Sequence, residues 1–268
     1  MIDDKIVVGI TQGDINGVGY EVIIKTLVDT RINEMCVPIV YGSSKVASFH
    51  RKALGIENFS LNVINSAEEA NSKRSNVINC IQDEIKVELS KQTDEAGEAS
   101  ILALEKATED LKNGLIDVLV TAPINKKNIK TEKFNFPGHT EYLAEKFSNG
   151  NKGIMLMVSD RLRVAVVSAH VPISELSKAI SKEAIMSKLR ILKDTMIKDF
   201  GVVRPRIAVL GLNPHAGDNG LIGNEEQEII IPAIKDATSE GILAFGPYPA
   251  DGFFGAGNYK NFDAVLAM

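Results

Sequence analysis

Two histidines stand directly after apolar runs whose composition predicts buried β-strands. His170 follows the run Leu-Arg-Val-Ala-Val-Val-Ser at 162–168, and His215 follows the run Arg-Ile-Ala-Val-Leu at 206–210. Aliphatic and β-branched runs bounded by Gly, Pro and Asn are typical of strands that end in a loop. Open α/β sheets bind their ligands outside the carboxyl ends of the strands. Two of the four histidines in the chain are therefore predicted to stand where such a sheet binds its ligand.

Imidazoles at such positions could hold a divalent cation or act as a general acid or base. Zinc and related metals take three or four ligands from His, Cys or carboxylate groups, and Asp218 and Asp251 are the acidic candidates in nearby loops. His170 and His215 are 45 residues apart, so a shared metal site depends entirely on the fold. Structural histidines remain an alternative. A hydrolase triad has no support, because the sequence contains no Gly-x-Ser-x-Gly motif.

A third histidine stands at the start of a short amphipathic segment. The sequence Pro-Gly-His-Thr-Glu at 137–141 places His139 at the N-terminus of a helix that Thr140 would cap and that extends to about Phe147. The positive end of the helix dipole disfavours a charged imidazolium. A neutral, hydrogen-bonding His139 is therefore one interpretation, and a local turn histidine is the other.

The remaining basic candidates have simpler interpretations. Lys126 and Lys127 follow a predicted buried strand at 118–121 and could bind a phosphate or carboxylate, although solvated surface lysines are the more common case. His50 lies beside basic residues in a predicted helix, which favours an exposed surface histidine.

Alternating strand and helix patterns position these side chains. A strand at 5–10 is followed by a glycine-rich turn at 11–19 and a helix at 20–28, and long helices are predicted at 93–112 and 181–200. This alternation predicts an α/β fold with a largely parallel or mixed sheet. The turn has the order Gly-x-x-x-Gly-x-Gly, which is not the dinucleotide fingerprint. It predicts a tight strand-to-helix connection or, with less support, an anion site.

Length and composition limit the number of domains and the kinds of partner that the protein is expected to have. The 268 residues suit one large α/β domain or two of ordinary size, and the net charge of -5 argues against a nucleic-acid or anionic membrane surface. Cys36 and Cys80 lie in apolar runs, so we expect buried free thiols in a cytoplasmic protein. No stretch approaches the roughly 20 apolar residues of a membrane span. The final apolar segment, 262–268, indicates either half of a longer strand or a short edge strand.

Several motifs together resemble the PdxA family of pyridoxal phosphate biosynthesis. The Asn-Pro-His-Ala-Gly motif at 213–217 and the Gly-His-Thr-Glu motif at 138–141 are the most specific, whereas the first glycine turn is not. The resemblance extends from the first strand to the last residue. Its other segments are residues 11–19, 121–126, 162–172, 246–251 and 263–268.

The resemblance implies the fold of the isocitrate and isopropylmalate dehydrogenases, an α/β class with two α/β/α domains and a cleft between them. That fold binds NAD without the Rossmann fingerprint. The expected domains are a discontinuous, apparently truncated first domain at 1–125 with 246–268, and a second domain at 126–245 carrying the histidine loops and dimer contacts. The expected partners are a small phosphorylated hydroxy-amino acid and a second copy of the chain, with the active site at the subunit interface and no nucleic acid or membrane.

The implied reaction is NAD-dependent oxidation of 4-phosphohydroxy-L-threonine to 2-amino-3-oxo-4-phosphooxybutanoate, followed by decarboxylation to 3-amino-2-oxopropyl phosphate. A divalent metal (Zn, Mg or Co) would act as a Lewis acid. The resemblance assigns the roles as follows: His170 and His215 are two of three metal ligands, His139 and Thr140 contact the substrate, and Asp251 and Lys126 are catalytic candidates. It assigns no NAD-contacting residue.

One departure from the family pattern leaves alternatives open. In the family, Ala-Val-Leu-Ala-Met is followed by Tyr-His-Asp-Gln-Gly, whose histidine is the third metal ligand and comes from the other subunit. This sequence ends at Met268, so we expect a chain that lacks the C-terminal segment. The alternatives are a related dehydrogenase of phosphorylated threonate or erythronate, a dihydrodiol dehydrogenase, or a non-catalytic metal-binding fragment.

Overall fold

The computed structural model describes residues 5–81, 85–129, 134–147 and 153–268. They belong to two compact units, Met1–Gly150 and Asn151–Met268. Each unit contains one five-stranded sheet. Among the described residues, no helix is long and apolar enough to cross a membrane. The two parallel-dominated sheets confirm the predicted α/β class.

The first unit is built on an all-parallel sheet with the strand order β3-β4-β2-β1-β5. Its strands are β1 (Ile6–Thr11), β2 (Cys36–Gly42), β3 (Asn62–Ile64), β4 (Asn76–Asn79) and β5 (Val118–Thr121). Its helices are α1 (Gly19–Leu27), α2 (Ile32–Met35), α3 (Ser44–Ala53), α4 (Asp94–Lys112) and α5 (His139–Phe147). β5 was predicted to be buried, but it is an edge strand, so Val118 and Val120 are 41% and 50% exposed.

Both faces of this sheet are covered by apolar side chains. On one face, Val40 and Val77 pack with residues of α1 and α3. On the other face, Ile39 and Tyr41 pack with the second half of α4. Alternate residues of β2 thus enter opposite cores, as a pleated strand requires. The side chains of Ser43 and Thr93 cap α3 and α4 by accepting the first free backbone N–H groups.

The glycine-rich turn after β1 is a closed polar network. Tyr20 donates its hydroxyl to Gln12 Oε1 at 2.8 Å, and Gln12 donates to the carbonyl of Ala99 at 3.1 Å. Asn16 donates to the carbonyl of Lys91 at 3.1 Å and accepts from the backbone N–H of Glu88 at 2.7 Å. Each of these buried side chains therefore has hydrogen-bond partners within the protein, and the turn has the properties of a tight strand-to-helix connection.

His50 corrects the expectation of a surface histidine. It is only 4% exposed, and its Nε2 lies 2.7 Å from the carbonyl oxygen of Ile15. Its ring stacks on Tyr20 with the ring centroids 5.4 Å apart. The buried residues of α3 are Val46, Ala47 and His50, which share one face of the helix. The basic residues that follow His50 in the sequence, Arg51 and Lys52, lie outside this buried face.

The second unit is built on a mixed sheet with the strand order β6-β7-β10-β8-β9, in which only the β6–β7 hairpin is antiparallel. Its strands are β6 (Leu156–Ser159), β7 (Leu162–Val166), β8 (Arg206–Leu210), β9 (Leu243–Tyr248) and β10 (Ala264–Ala267). Its helices are α6 (Ile173–Ala179), α7 (Lys182–Lys198), α8 (Ile231–Ser239) and α9 (Ala250–Gly255). The hairpin pairs Ser159 of β6 with Leu162 of β7 at its turn.

Helices cover both faces of the second sheet. Ile207, Val209 and Leu266 pack with Leu189 of α7 and Ala233 of α8 in the largest core cluster. Ala208, Leu210 and Val265 face the other way and pack against the buried Phe253 of α9. The strands that lead to the histidine loops are therefore anchored on both sides.

Strand pairing corrects the expected domain boundaries. β10 lies between β7 and β8, with Val265 opposite Val164 and Ala208. Residues 246–268 therefore belong to the second unit and not to the first domain. Residues 126–150 belong to the first unit, which ends at Gly150 instead of residue 125. Pairing between parallel strands far apart in sequence carries no local signature, which is why the sequence did not reveal it.

Candidate active site

His170 and His215 follow strands whose carboxyl ends lie on the same side of the second sheet, which is called the sheet edge below. β7, β10 and β8 are neighbouring parallel strands, so their carboxyl ends point in the same direction. β7 ends at Val166 and β8 at Leu210, a few residues before the two histidines. Both histidines are exposed. The structure thus puts them at the carboxyl edge of one sheet, where ligands of α/β proteins bind.

His215 lies in a turn whose backbone is left-handed. Within Pro214–Gly220, Gly217 has a φ of 78°, and four non-glycine residues have φ between 42° and 56°: His215, Ala216, Asp218 and Asn219. An L-residue in this conformation costs roughly 1–2 kcal/mol, and only Asn and Asp tolerate it well. His170 also has a positive φ, of 59°. Such strain persists only where surrounding contacts enforce it, and it clusters at functional sites.

A buried carboxylate holds the start of this turn. Glu226 is 2% exposed, and its Oε1 accepts the backbone N–H groups of Leu212 and Asn213, both at 2.7 Å. Its Oε2 accepts the Asn213 side-chain amide at 2.9 Å. The same amide donates to Glu225 at 2.7 Å and lowers the pKa of that carboxyl. Glu226 was not predicted from the sequence, in which the adjacent acidic residues Glu225 and Glu226 after the loop are the only sign of such a role.

Asp251 approaches His215 from α9. It lies in the first turn of that helix, and its Oδ2 is 3.7 Å from His215 Nδ1. Both side chains are 68% exposed. A carboxylate on one ring nitrogen of a histidine favours the tautomer that leaves the other nitrogen free to bind a metal. The arrangement therefore suits Asp251 to orienting His215.

The donor types at this edge fit a divalent cation, although the described residues do not complete a ligand set. Imidazoles with a nearby carboxylate suit Zn²⁺ or Co²⁺ better than Mg²⁺, which prefers an all-oxygen shell. Within the described ranges, no three His, Cys, Asp or Glu side chains are grouped as metal ligands. The structure brings His215 and Asp251 together, and it does not bring His170 into a three-ligand cluster with them.

His139 and Lys126 form a second group of candidates, in the first unit. His139 is half-buried, and its Nε2 is shielded from solvent without a hydrogen-bond partner among the residues described. Burial, and then the charge of Lys126, lower the pKa of His139 below its ordinary value. The Lys126 Nζ lies 3.9 Å from the position that a Cβ on Gly138 would occupy. A neutral imidazole and an ammonium group thus lie close together at the start of α5.

Thr140 does not cap this helix. α5 begins at His139, and Tyr142 donates its backbone N–H to the carbonyl of Gly138 at 3.3 Å. Thr140 is therefore an exposed residue of the first turn.

These features define an α/β enzyme with titratable side chains at strand and helix ends and no dinucleotide fingerprint. The chain belongs to the PdxA family, since the family model described as pyridoxal phosphate biosynthetic protein PdxA matches residues 34–268. Named relatives are dehydrogenases, and the chain is accordingly an oxidoreductase.

Individual relatives cover nearly the whole chain. It is 56% identical to a 4-hydroxythreonine-4-phosphate dehydrogenase of Bacteroides thetaiotaomicron, over 100% of this chain and 73% of that protein. It is 35% identical to a D-threonate 4-phosphate dehydrogenase of Salmonella typhimurium, over 97% of this chain and 80% of that protein. A crystal structure of a 4-hydroxythreonine-4-phosphate dehydrogenase from Burkholderia phymatum superposes with a TM-score of 0.83 at 34% identity, over 99% of this chain and 81% of that one.

Proposed function

We propose that this protein oxidises 4-phosphohydroxy-L-threonine in pyridoxal phosphate biosynthesis, with NAD as the oxidant and a divalent metal as cofactor. The observation that carries the proposal is the 56% identity, over the whole chain, to a relative named for this substrate. The sheet-edge histidines and the neutral His139 support it, because they are groups that this chemistry requires.

The reaction balances in two steps. Carbon 3 of the substrate loses a hydride and its hydroxyl loses a proton, which gives a ketone. NAD accepts the hydride. The product is a β-keto acid, so its carboxylate leaves as CO₂ and the electron pair of the broken bond moves into an enolate. Protonation at carbon 2 then gives 3-amino-2-oxopropyl phosphate.

His170 and His215 are the residues that would hold the metal. A divalent cation supplies a Lewis acid for the oxygen that becomes negative during both steps. The Asp251 carboxylate lies 3.7 Å from His215 Nδ1, which is beyond hydrogen-bond distance, and its negative charge favours a proton on that nitrogen and a free lone pair on Nε2. This role for Asp251 is to position His215 and does not require contact with the substrate.

His139, Thr140 and Lys126 would bind the substrate. The unpartnered His139 Nε2 can donate or accept one hydrogen bond because the imidazole is neutral. The exposed Thr140 hydroxyl and Lys126 ammonium are open to a ligand, and an ammonium group suits a phosphate. We further propose a cytoplasmic homodimer with the active site at the subunit interface. Exposed apolar side chains of β6, including Met157 and Val158, support such an interface.

Parallel assays with two substrates test this function. The purified protein is incubated with NAD, Zn²⁺ or Co²⁺, and either 4-phosphohydroxy-L-threonine or D-threonate 4-phosphate, and NADH and CO₂ are measured. We expect both products with the amino substrate and their loss after chelation. D-threonate 4-phosphate is the second candidate because of the Salmonella relative. Preference for it would replace the substrate assignment, and turnover unaffected by chelation would contradict the metal requirement.

A further inference from the structure

We propose that Glu226 is the positioning residue of the His215 loop: its buried carboxylate holds the left-handed turn in the conformation that presents His215. The metal role of His215 belongs to the proposed function, and the consequence for metal affinity rests on it. The loop restraint itself rests only on the contacts of the carboxylate.

The carboxylate is fixed to the core on one side. Glu226 begins the short π-helical segment Glu226–Ile230, which leads directly into α8. Ile230 is fully buried and packs in the main cluster of the second unit. The carboxylate is therefore an immobile acceptor, whose position is set by the packing of α8 and not by the loop.

On the other side, the carboxylate satisfies the loop backbone. Two consecutive N–H groups, of Leu212 and Asn213, point at one oxygen, and the Asn213 side chain points at the other. Consecutive donors of this kind would otherwise be unsatisfied where the chain leaves β8. Charge-assisted hydrogen bonds are about twice as strong as neutral ones, so this restraint can oppose the backbone strain of the turn.

Glycines let the loop close around the carboxylate. A Cβ on Gly211 would lie 3.1 Å from Glu226 Oε1, and a Cβ on Gly217 would lie 2.6 Å from Oε2. The Glu226 carboxylate is therefore in close contact with Gly211 before His215 and with Gly217 after it. With both flanks pressed against one buried group, the position of the His215 backbone is determined. Backbone hydrogen bonds from Ala216 N–H to the Asn213 carbonyl and from Ile222 N–H to the Gly217 carbonyl close the turn internally, and the Glu226 carboxylate ties it to the core.

Three variants test the restraint. Glu226→Ala removes the acceptor, Glu226→Gln retains one oxygen for the two backbone donors, and Glu228→Gln is a matched control on an exposed residue of the same segment. In metal-free protein, hydrogen exchange of the Leu212 and Asn213 amides should be about tenfold faster in Glu226→Ala. Glu226→Gln should fall between it and the control. Urea unfolding establishes whether each variant is folded. If Glu226→Ala does not fold, Glu226→Gln still tests the restraint.

Zn²⁺ titration of the same proteins tests the positioning of His215. Zn²⁺ affinity should fall by about 10–100-fold in Glu226→Ala, as is usual for groups that orient a metal ligand. It should fall less in Glu226→Gln and remain unchanged in Glu228→Gln. Unchanged amide exchange in both Glu226 variants would overturn the restraint. Faster exchange with unchanged Zn²⁺ affinity would overturn the positioning role. Wild-type protein that binds no Zn²⁺ would refute the metal role alone, and exchange would still decide the restraint.

Discussion

The Asp251→Asn variant tests whether a carboxylate orients the histidine that we assign to the metal. The substitution keeps the shape of the side chain and removes its charge. A metal-bound imidazole is neutral, so the Asp251 carboxylate, 3.7 Å from His215 Nδ1, would act on the tautomer and the orientation of the ring and not as the partner of an imidazolium charge. Carboxylates behind metal-bound histidines typically contribute about 10–100-fold. Because both side chains are 68% exposed, we expect a loss of about five- to tenfold.

Calorimetric titration with Zn²⁺ measures this loss directly. Asp218→Asn is the matched control: the sequence offered Asp218 as a second acidic candidate, but within the part of the chain that the structure describes His215 is paired with Asp251 and no three-ligand group includes Asp218, and the charge change is identical. We expect Asp218→Asn to bind Zn²⁺ as the unmodified protein does. Equal affinity of the unmodified protein and Asp251→Asn, or an equal loss in both variants, would refute the orienting role. An equal loss would indicate only a general electrostatic effect of the loop.

Three further predictions concern charge and packing. His139 should titrate in nuclear magnetic resonance spectra below the ordinary histidine pKa, and Lys126→Met should raise its midpoint only in part, because burial is the larger cause. Since the unfolded chain protonates first, His139 should lower stability as the pH falls through the ordinary histidine pKa. Tyr41→Phe removes the 2.7 Å hydrogen bond to the buried Asp110 carboxylate and should cost about 1.5–3 kcal/mol in urea unfolding. Leu189→Ala, in the core of the second unit, should cost about 2–5 kcal/mol.

Each of these predictions has a control. The His139 resonance is assigned by its loss in His139→Gln, and a midpoint at or above the ordinary value would contradict the proposed burial. Leu221→Ala changes the same residue type at a position that is 83% exposed, so it should leave the free energy of unfolding nearly unchanged. Equal costs for Leu189→Ala and Leu221→Ala would contradict the described core. A Tyr41→Phe protein as stable as the unmodified one would remove Asp110 from the buried network.

Sequence patterns predicted the features that depend on local composition. The runs before His170 and His215 are rich in β-branched and aliphatic residues, and the loops that follow them contain Pro172 and Asn213-Pro214, so both strands and their loops were predictable. The helix start near His139 followed from its Gly-His-Thr sequence. The prediction of an exposed His50 was wrong, although the sequence held the signal for its burial: Val46, Ala47 and His50 share a helical face, and this periodicity carries more information than the basic neighbours do.

Features that depend on long-range contacts were not predictable. β10 inserts between β7 and β8 because apolar strands compete for the sheet centre, and no residue near 264–267 encodes that position. The left-handed turn at His215 contradicts the intrinsic preference of Ala216, so only tertiary contacts can impose it. Glu226, which accepts from the backbone of Leu212 and Asn213 just before this turn, lies beyond the turn in the sequence and cannot be distinguished there from an exposed helix residue.

We assign to His170 and His215 the divalent cation of the proposed dehydrogenase reaction. The most direct measurement is the Zn²⁺ stoichiometry of the unmodified protein, His170→Ala and His215→Ala after dialysis against limiting Zn²⁺. We expect bound Zn²⁺ in the unmodified protein and its loss in His215→Ala, with a comparable loss in His170→Ala. Unchanged Zn²⁺ in His215→Ala would contradict the assignment of the sheet edge as the metal site.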